Sequence, residues 1–397
     1  MIKYITLFLA CLSVSTASRK VHAELNPGCD EECRTFLNGP LVHVTAEGDN
    51  DTLHHVWDLT YNKPCLFLAL TPVDTLLEID WTKFNWDSSE GSVRFTKEPI
   101  YAFSLVFEEL VEFNDVNNTG KFNSSNTSPD YRIVQPMNFN WSVKSFEVKN
   151  NGVIYTFVGT NKTVSNGSIE ISLSAYGNRG HGDIRPHLLH TGNATQVDFE
   201  LKNLKTHFKS PRFAFKLAII TTREDNTIDQ TKKTSLHDEH SPGIFTVSEV
   251  LTKADEKYKE GQGYLQWRDV AYTSPERNQI NSTNVGETKA LKELQPNNTF
   301  YGTFSMAYFG EKIYSLPAYY FYVYFGSPYD GFYTKSSYLS WTLMAGLGRP
   351  AEESFSMLVL IVLTSCLVVI PVLIIVLGVI YLISRRVSKA RDDILTQ

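Results

Sequence analysis

The chain reads as an all-β lumenal ectodomain of the antiparallel β-sandwich type, one or two sandwiches, plus a single C-terminal transmembrane helix. Three observations carry that expectation. Apolar and polar residues alternate over short stretches, most cleanly from Ser168 to Ala175, where Ile169, Ile171, Leu173 and Ala175 share one face and Ser168, Glu170, Ser172 and Ser174 the other. Clusters of turn-forming residues, such as Gly48-Asp49-Asn50-Asp51 and Asn150-Asn151-Gly152, separate these stretches. Near the end of the chain, an apolar run from Phe355 to Ile383 contains no charge.

The elements follow in order. Lys3 and the apolar stretch from Ile5 to Val14 mark a signal peptide, assigned to residues 1–23, with small residues offering cleavage after Ala17 or after Ala23. Residues 24–353 form the glycosylated lumenal β domain. Its 13% aromatic content favours strands over long helices. Strands are expected at residues 41–46, 52–59, 65–70, 101–107, 153–157, 197–201, 213–219 and 319–325, some of them buried on both faces. A subdivision near 202–210 would separate two sandwiches. Val247, Val250, Leu251, Ala254 and Tyr258 keep a 3.6-residue period and predict a short amphipathic helix. Residues 114–130 and 273–298 read as polar connections.

Residues 354–384 are the transmembrane helix. At about 1.5 Å per residue the run is longer than a roughly 30 Å hydrocarbon core, which calls for tilt or for a bend at Pro371. Glu352 and Glu353 flank one end; Arg385, Arg386, Lys389 and Arg391 flank the other. The basic side faces the cytosol, so residues 385–397 are a cytosolic tail and the topology is single-pass type I.

Charge and modification agree with this topology. The formal net charge of −6 is spread along the chain without a dense basic block, and no nucleic acid is expected as a partner. Glycosylation sequons stand at Asn50, Asn117, Asn123, Asn126, Asn140, Asn161, Asn166, Asn193, Asn281 and Asn297, all on the lumenal side of the apolar run. Cys29, Cys33 and Cys65 face the oxidising lumen, enough for one disulfide whose pairing the sequence leaves open, with a local Cys29–Cys33 bridge favoured over a metal or redox pair.

Few residues are arranged for chemistry. The sequence has no Gly-x-Ser-x-Gly elbow, no HExxH, no phosphate-binding GxxxxGK[ST] and no GxGxxG. His237-Asp238-Glu239-His240 precedes Pro242 and Gly243 and reads as an exposed turn rather than a metal site. His54 and His55 are adjacent on an expected strand, so they point to opposite faces and do not chelate together. The run from Tyr319 to Phe325 reads as a core strand with hydroxyls at its rim rather than a ligand groove. Neither catalytic residues nor cofactors are expected, and the chain is read as no enzyme.

Several stretches carry a family resemblance: Asn38-Gly39-Pro40-Leu41, Leu53-His54-His55-Val56-Trp57, Leu105-Val106-Phe107 leading to Glu112-Phe113, Leu188-Leu189-His190-Thr191, Asp238-Glu239 followed by Pro242 and Phe245, Gln266-Trp267-Arg268 with Val270-Ala271-Tyr272, and Tyr338-Leu339-Ser340-Trp341. In this order and spacing the chain resembles the glycosylated lysosomal membrane protein family. The resemblance implies a non-enzymatic lysosomal glycoprotein. It further implies an accessory subunit that stabilises a lysosomal major-facilitator dipeptide transporter and shields it from lumenal proteolysis. A lumenal ligand-binding receptor and an unrecognised lumenal hydrolase are the competing expectations. Unlike that family, this chain has no cysteine between Cys65 and Cys366 and no tyrosine in its tail; Ile394-Leu395, preceded by Asp392 and Asp393, looks like a dileucine sorting signal. The apolar helix has no GxxxG, and Tyr338 to Trp341 are expected to contact the partner's lumenal loops.

Overall fold

A computed structural model describes residues 18–37, 39–84, 90–123, 130–149, 151–161, 167–222, 227–234, 246–253, 261–353 and 357–395. Residues up to Ala351 form one compact unit and those from Glu352 another.

In the first unit the chain opens with β1 (Lys20–Leu25), a helical turn α1 (Glu31–Phe36), and then β2 (Leu41–Glu47), β3 (Asp51–Asp58) and β4 (Cys65–Pro72). A small hairpin, β5 (Leu77–Ile79) and β6 (Val93–Phe95), precedes β7 (Tyr101–Asn114) and β8 (Tyr131–Val134). Next come β9 (Asn140–Lys149), β10 (Gly152–Thr160), β11 (Ser168–Tyr176), the short pair β12 (Gly180–His181) and β13 (Leu189–His190), and β14 (Ala194–Lys202). The chain continues through β15 (Pro211–Thr221), β16 (Ile228–Thr234), β17 (Thr246–Thr252), β18 (Gly263–Arg268), β19 (Val270–Tyr272), β20 (Ser282–Glu287) and β21 (Leu291–Lys292). Helices α2 (Pro296–Phe300) and α3 (Phe304–Phe309), β22 (Ala318–Phe325), the turn α4 (Tyr333–Ser336) and β23 (Tyr338–Leu347) complete it.

Every strand pairing is antiparallel, and the main strands form two layers. The first runs β1–β2–β3–β4–β7–β15–β22, with β8 on the outer part of β7. The second runs β9–β10–β11–β14–β23–β18–β17–β16. Strand β20 pairs with β19 on one side and with β22 on the other, which stitches the layers together at one edge. The main apolar core lies between them. Val42, Val44, Trp57, Leu66, Leu68, Phe103, Leu105, Phe215 and Leu217 of the first layer meet Phe157, Ile169, Ile171, Val197, Phe199, Leu265, Trp267, Trp341 and Leu343 of the second.

Strand parity explains the expected two-faced burial. On β4, Leu66, Leu68 and Leu70 enter the core between the layers, whereas Cys65, Phe67 and Ala69 face outward into a second cluster. Cys29 and Cys33, Trp81, Phe84, Val93, Phe300, Phe304, Phe309 and Ile313 cover that outer face. Around β4 the first layer is therefore dry on both sides. The second has one apolar and one polar face, which is why Ser168–Tyr176 alternates so cleanly.

Four expectations need correction. Residues 247–252 belong to β17, not to a helix: Ser248, Glu249 and Val250 are all buried, because β16 and β18 flank the strand on both edges. Ala254 and Tyr258 lie outside the described residues. The stretch 202–210 is no boundary between separate sandwiches; it carries the chain from β14 in one layer to β15 in the other within one compact unit. The connection 273–298 contains β20, β21 and the start of α2. The signal-peptide boundary at residue 23 conflicts with β1, whose residues from Lys20 to Leu25 pair with Glu47 back to Val42. Arg19 is buried and ion-paired to Asp51 at 2.5 Å, with Nε donating to Asn193 Oδ1 at 2.8 Å. Cleavage after Ala23 would remove four of the six residues of this strand.

In the second unit, α5 (Met357–Thr364) leads through a π-helical turn (Ser365–Val369) into α6 (Ile370–Leu395). The π-helical turn falls immediately before Pro371. Proline has no N–H to give to the Leu367 carbonyl, and the wider turn just before it takes up the missing bond. The 28-residue stretch Ile361–Ser388 is long and apolar enough to span a bilayer, its most apolar 18 residues having a mean hydropathy of 3.2.

Candidate functional site

The registers define two ends of the sandwich. Strand β23 runs from Tyr338 to Leu347, and beyond Leu347 the chain leaves for the apolar helix; this is the exit end. Tyr338 pairs with Lys202, Lys202 with Ser168, Ser168 with Thr160 and Thr160 with Asn140, so these residues all lie at the far end. Asn114 pairs with Pro211, and Asn203 N–H donates to the Ser337 carbonyl at 2.8 Å, which places the Asn114 tip of β7 there too.

The sequons are distributed unevenly over these ends. Asn117, Asn140, Asn161 and Asn281 belong to the far end, and Asn123 follows Phe122, which packs against Phe113, Tyr322 and Tyr324 on the outer face of the first layer. Asn50 and Asn193 belong to the exit end, where Asn193 O accepts from Leu347 N–H at 2.9 Å. Asn297 is the second residue of α2, which packs through Phe300 on the outer side of the first layer. Asn126 and Asn166 lie outside the described residues. Asn50, Asn117, Asn123 and Asn140 are exposed. Asn161 differs: it is only 8% exposed, and its Nδ2 donates to the Asn138 carbonyl at 2.7 Å.

The lumenal cysteines resolve into a Cys29–Cys33 disulfide and a reduced, buried Cys65. Cys65 Sγ sits 3.1 Å from Ser305 Oγ, and burial pushes its thiol up to about 11, which leaves it an inert packing residue. The expected parity of His54 and His55 holds. His54 turns to the outer face, between His43 Nε2 at 2.9 Å and Thr71 Oγ1 at 3.1 Å, while His55 turns inward to Thr195 Oγ1 at 2.8 Å. Among the described residues no group of His, Cys, Asp and Glu could hold a metal ion. His237 to His240 lie outside them.

One expectation about surfaces changes and one stands. Tyr338 to Trp341 are buried: Trp341 is 1% exposed and stacks against Phe199, so this stretch offers no partner contact. In β22, Phe321, Val323 and Phe325 enter the core, as expected of a core strand, while Tyr320, Tyr322 and Tyr324 lie on the opposite, outer face. Ile394 and Leu395 lie in the last turn of α6.

A polar face escaped the sequence reading. On the outer side of the second layer, Arg277 makes a bidentate pair with Asp198 at 2.7 and 2.6 Å and reaches Glu200 at 3.0 Å. Thr342 and Tyr338 donate to the same carboxylates. Lys202 joins Glu200 to Glu170, and Lys144 also holds Glu170. Burial pushes the Asp198 carboxyl above its ordinary value despite Arg277. The signal was present as the alternation Gln196, Asp198, Glu200, Lys202, the complement of the apolar positions on β14. These groups satisfy one another and line a cleft of about 630 Å³.

A family model described as glycosylated lysosomal membrane protein matches residues 40–389.

The chain belongs to the glycosylated lysosomal membrane protein family.

Glycosylated lysosomal membrane protein B of Xenopus laevis is 32% identical over 382 residues, covering 93% of this chain and 91% of that protein. The Danio rerio protein of the same name is 30% identical over 94% of this chain and 91% of its own length. The Homo sapiens protein is 24% identical over 81% and 78%. The chain is thus a lysosomal membrane glycoprotein with one span and its bulk in the lumen. Its named relatives are membrane glycoproteins, not enzymes.

An acidic lumen gives the buried histidines a specific meaning. Burial holds His43 down to about 3, His54 to about 4, His55 to about 3 and His190 to about 4, so all four stay neutral where a solvated histidine would be charged. Asp58 works in the opposite sense. Burial raises it to about 6, against the hydrogen bonds it accepts from Thr60 N–H, Thr60 Oγ1 and Phe304 N–H.

Proposed function

We propose that this glycoprotein is a non-enzymatic accessory subunit that stabilises a multi-span lysosomal major-facilitator dipeptide transporter and shields it from lumenal proteases. The observation that carries the reading is the uneven placement of the sequons, gathered at the end of the sandwich opposite the one from which the chain leaves for its helix. Glycans there would stand between lumenal proteases and whatever the rest of the domain covers. A single apolar helix without a charge cannot line a path for polar solutes, so any role in transport is indirect. The helix lacks GxxxG, which leaves the lumenal domain to supply most of the contact.

The test is a pulse-chase of the transporter in cells lacking this chain. Unchanged synthesis with a shortened lysosomal half-life, restored by protease inhibitors, is the expected result. An unaltered half-life with and without inhibitors would sink the reading. The cleft of about 630 Å³ on the outer face of the second layer favours one alternative, a receptor for a small polar lumenal ligand. Equilibrium dialysis of the purified protein against lumenal small-molecule extracts at acidic pH separates the two.

A further inference from the structure

A second cleft, of about 520 Å³, opens at the far end of the sandwich, and a sequon asparagine stands in its wall. Its floor is fixed by a buried ion pair: Arg212 Nε donates to Asp115 at 2.7 Å, and its Nη2 reaches Asp330 at 2.7 Å and Asn118 Oδ1 at 2.7 Å. Asp330 also accepts from Thr283 Oγ1 and, at 2.8 Å, from Ser327 N–H. Asp115 and Asp330 on the floor are thus both already paired with a cation, Arg212. The mouth is different. Ile280, immediately before Asn281, is 92% exposed, an unusual position for a large aliphatic side chain beside a cleft. Phe332 forms an apolar wall, held from behind by the Arg212 guanidinium 5.4 Å from its ring centre. Among the described residues, the Lys335 ammonium makes no hydrogen bond or ion pair.

We infer that this cleft is the bed of the N-glycan carried by Asn281, whose first sugars fold back over Ile280 and against Phe332. The chemistry matches: an N-acetylglucosamine ring offers an apolar face to the aliphatic and aromatic side chains, and hydroxyl and acetamide oxygens to Lys335. The occupant is tethered at the wall, so its effective concentration is high without any strong contact. Asn281 is half-buried, and its Nδ2 donates to the Glu276 carbonyl at 3.3 Å. A glycosylated carboxamide keeps one N–H, which is all this bond uses. Asn140, by contrast, is exposed at the start of an edge strand and lines neither described cleft. The inference rests on lumenal glycosylation and not on the transporter, so a failed pulse-chase leaves it standing.

Site-resolved release tests it. The intact glycoprotein, folded in detergent, is treated with peptide N-glycosidase, and release at each asparagine is followed by peptide mass spectrometry. Release at Asn281 should be roughly tenfold slower than at Asn140, the ratio that about 1.4 kcal/mol of contact produces. The Ile280→Ser variant, changed at an exposed side chain, should bring the two rates close together without altering Asn140. Equal rates in the unaltered protein would overturn the inference. So would an unmodified Asn281, or slow release that Ile280→Ser leaves unchanged, since the latter would mean only that the asparagine is recessed.

Discussion

Asn140 and Asn161 flank the same hairpin, at the start of β9 and the end of β10, yet they meet solvent differently. Asn140 is exposed, whereas the Asn161 carboxamide is buried and donates to the Asn138 carbonyl. Glycopeptide mapping is expected to find Asn140 occupied and Asn161 bare. Asn161→Ala should cost about 1 kcal/mol from the lost hydrogen bond, while Asn140→Gln should be near neutral. Full occupancy at both positions would contradict the structure. A three-residue motif contains no information on burial, so the sequence alone could not separate the two.

Asp58 provides the pH prediction. Its folded value of about 6 lies above an unfolded value near 4, so its contribution to stability is full below about 4 and is lost as pH rises through 6. Asp58→Asn removes that contribution, and its destabilisation should therefore grow by about 2 kcal/mol between pH 7 and pH 4. The depressed histidines act in reverse, losing stability as pH falls from about 6.5 toward 4 or 3. Denaturant melts of both proteins at the two pH values check the sign. A gap that narrows on acidification would mean Asp58 is ionised in the fold.

At the scale of elements, the legible strands were those whose environment matches their pattern. Ser168–Tyr176 has one wet face and reads as alternation; Cys65–Pro72 has two dry faces and reads as a continuous apolar run. The failures have a common cause. In β17, Glu249 is buried because Gln266 donates to it at 2.9 Å and Lys233 pairs with it at 2.9 Å, and such partners come from distant sequence. A buried polar residue between Val247 and Val250 mimics a helical period. Close packing between layers was equally invisible. At Gly263, in β18, an added Cβ would lie 2.2 Å from Phe103 Cδ2 of the facing layer. Phe103 is fully buried and has nowhere to retreat. Gly263→Ala is expected to cost about 1–3 kcal/mol by overpacking. Phe103→Leu, which costs stability alone, should recover some of that loss in the double variant. Additive losses would show that the strand shifts instead of the ring.

For the whole molecule, the question is what holds a sandwich of this size together in a compartment rich in proteases. The core between the layers takes side chains from both sheets, and β20 fastens them at an edge. The Cys29–Cys33 bridge joins residues only 4 apart, beside the outer cluster and away from that core. A loop so short removes little freedom from the unfolded chain, on the order of 2 kcal/mol. Cys65 is no reserve, since its buried thiol has no cysteine partner among the described residues. Resistance must therefore come from burial and from the glycans rather than from cross-links. Reduction of the glycosylated lumenal domain should leave its β-type circular dichroism intact and lower the melting midpoint by a few degrees. Enzymatic removal of the glycans without reduction should instead leave the midpoint nearly unchanged and shorten survival in lysosomal protease extracts severalfold. If reduction abolished the β signal, or if deglycosylated protein survived as long as the native form, the division of labour between core and glycans would be wrong.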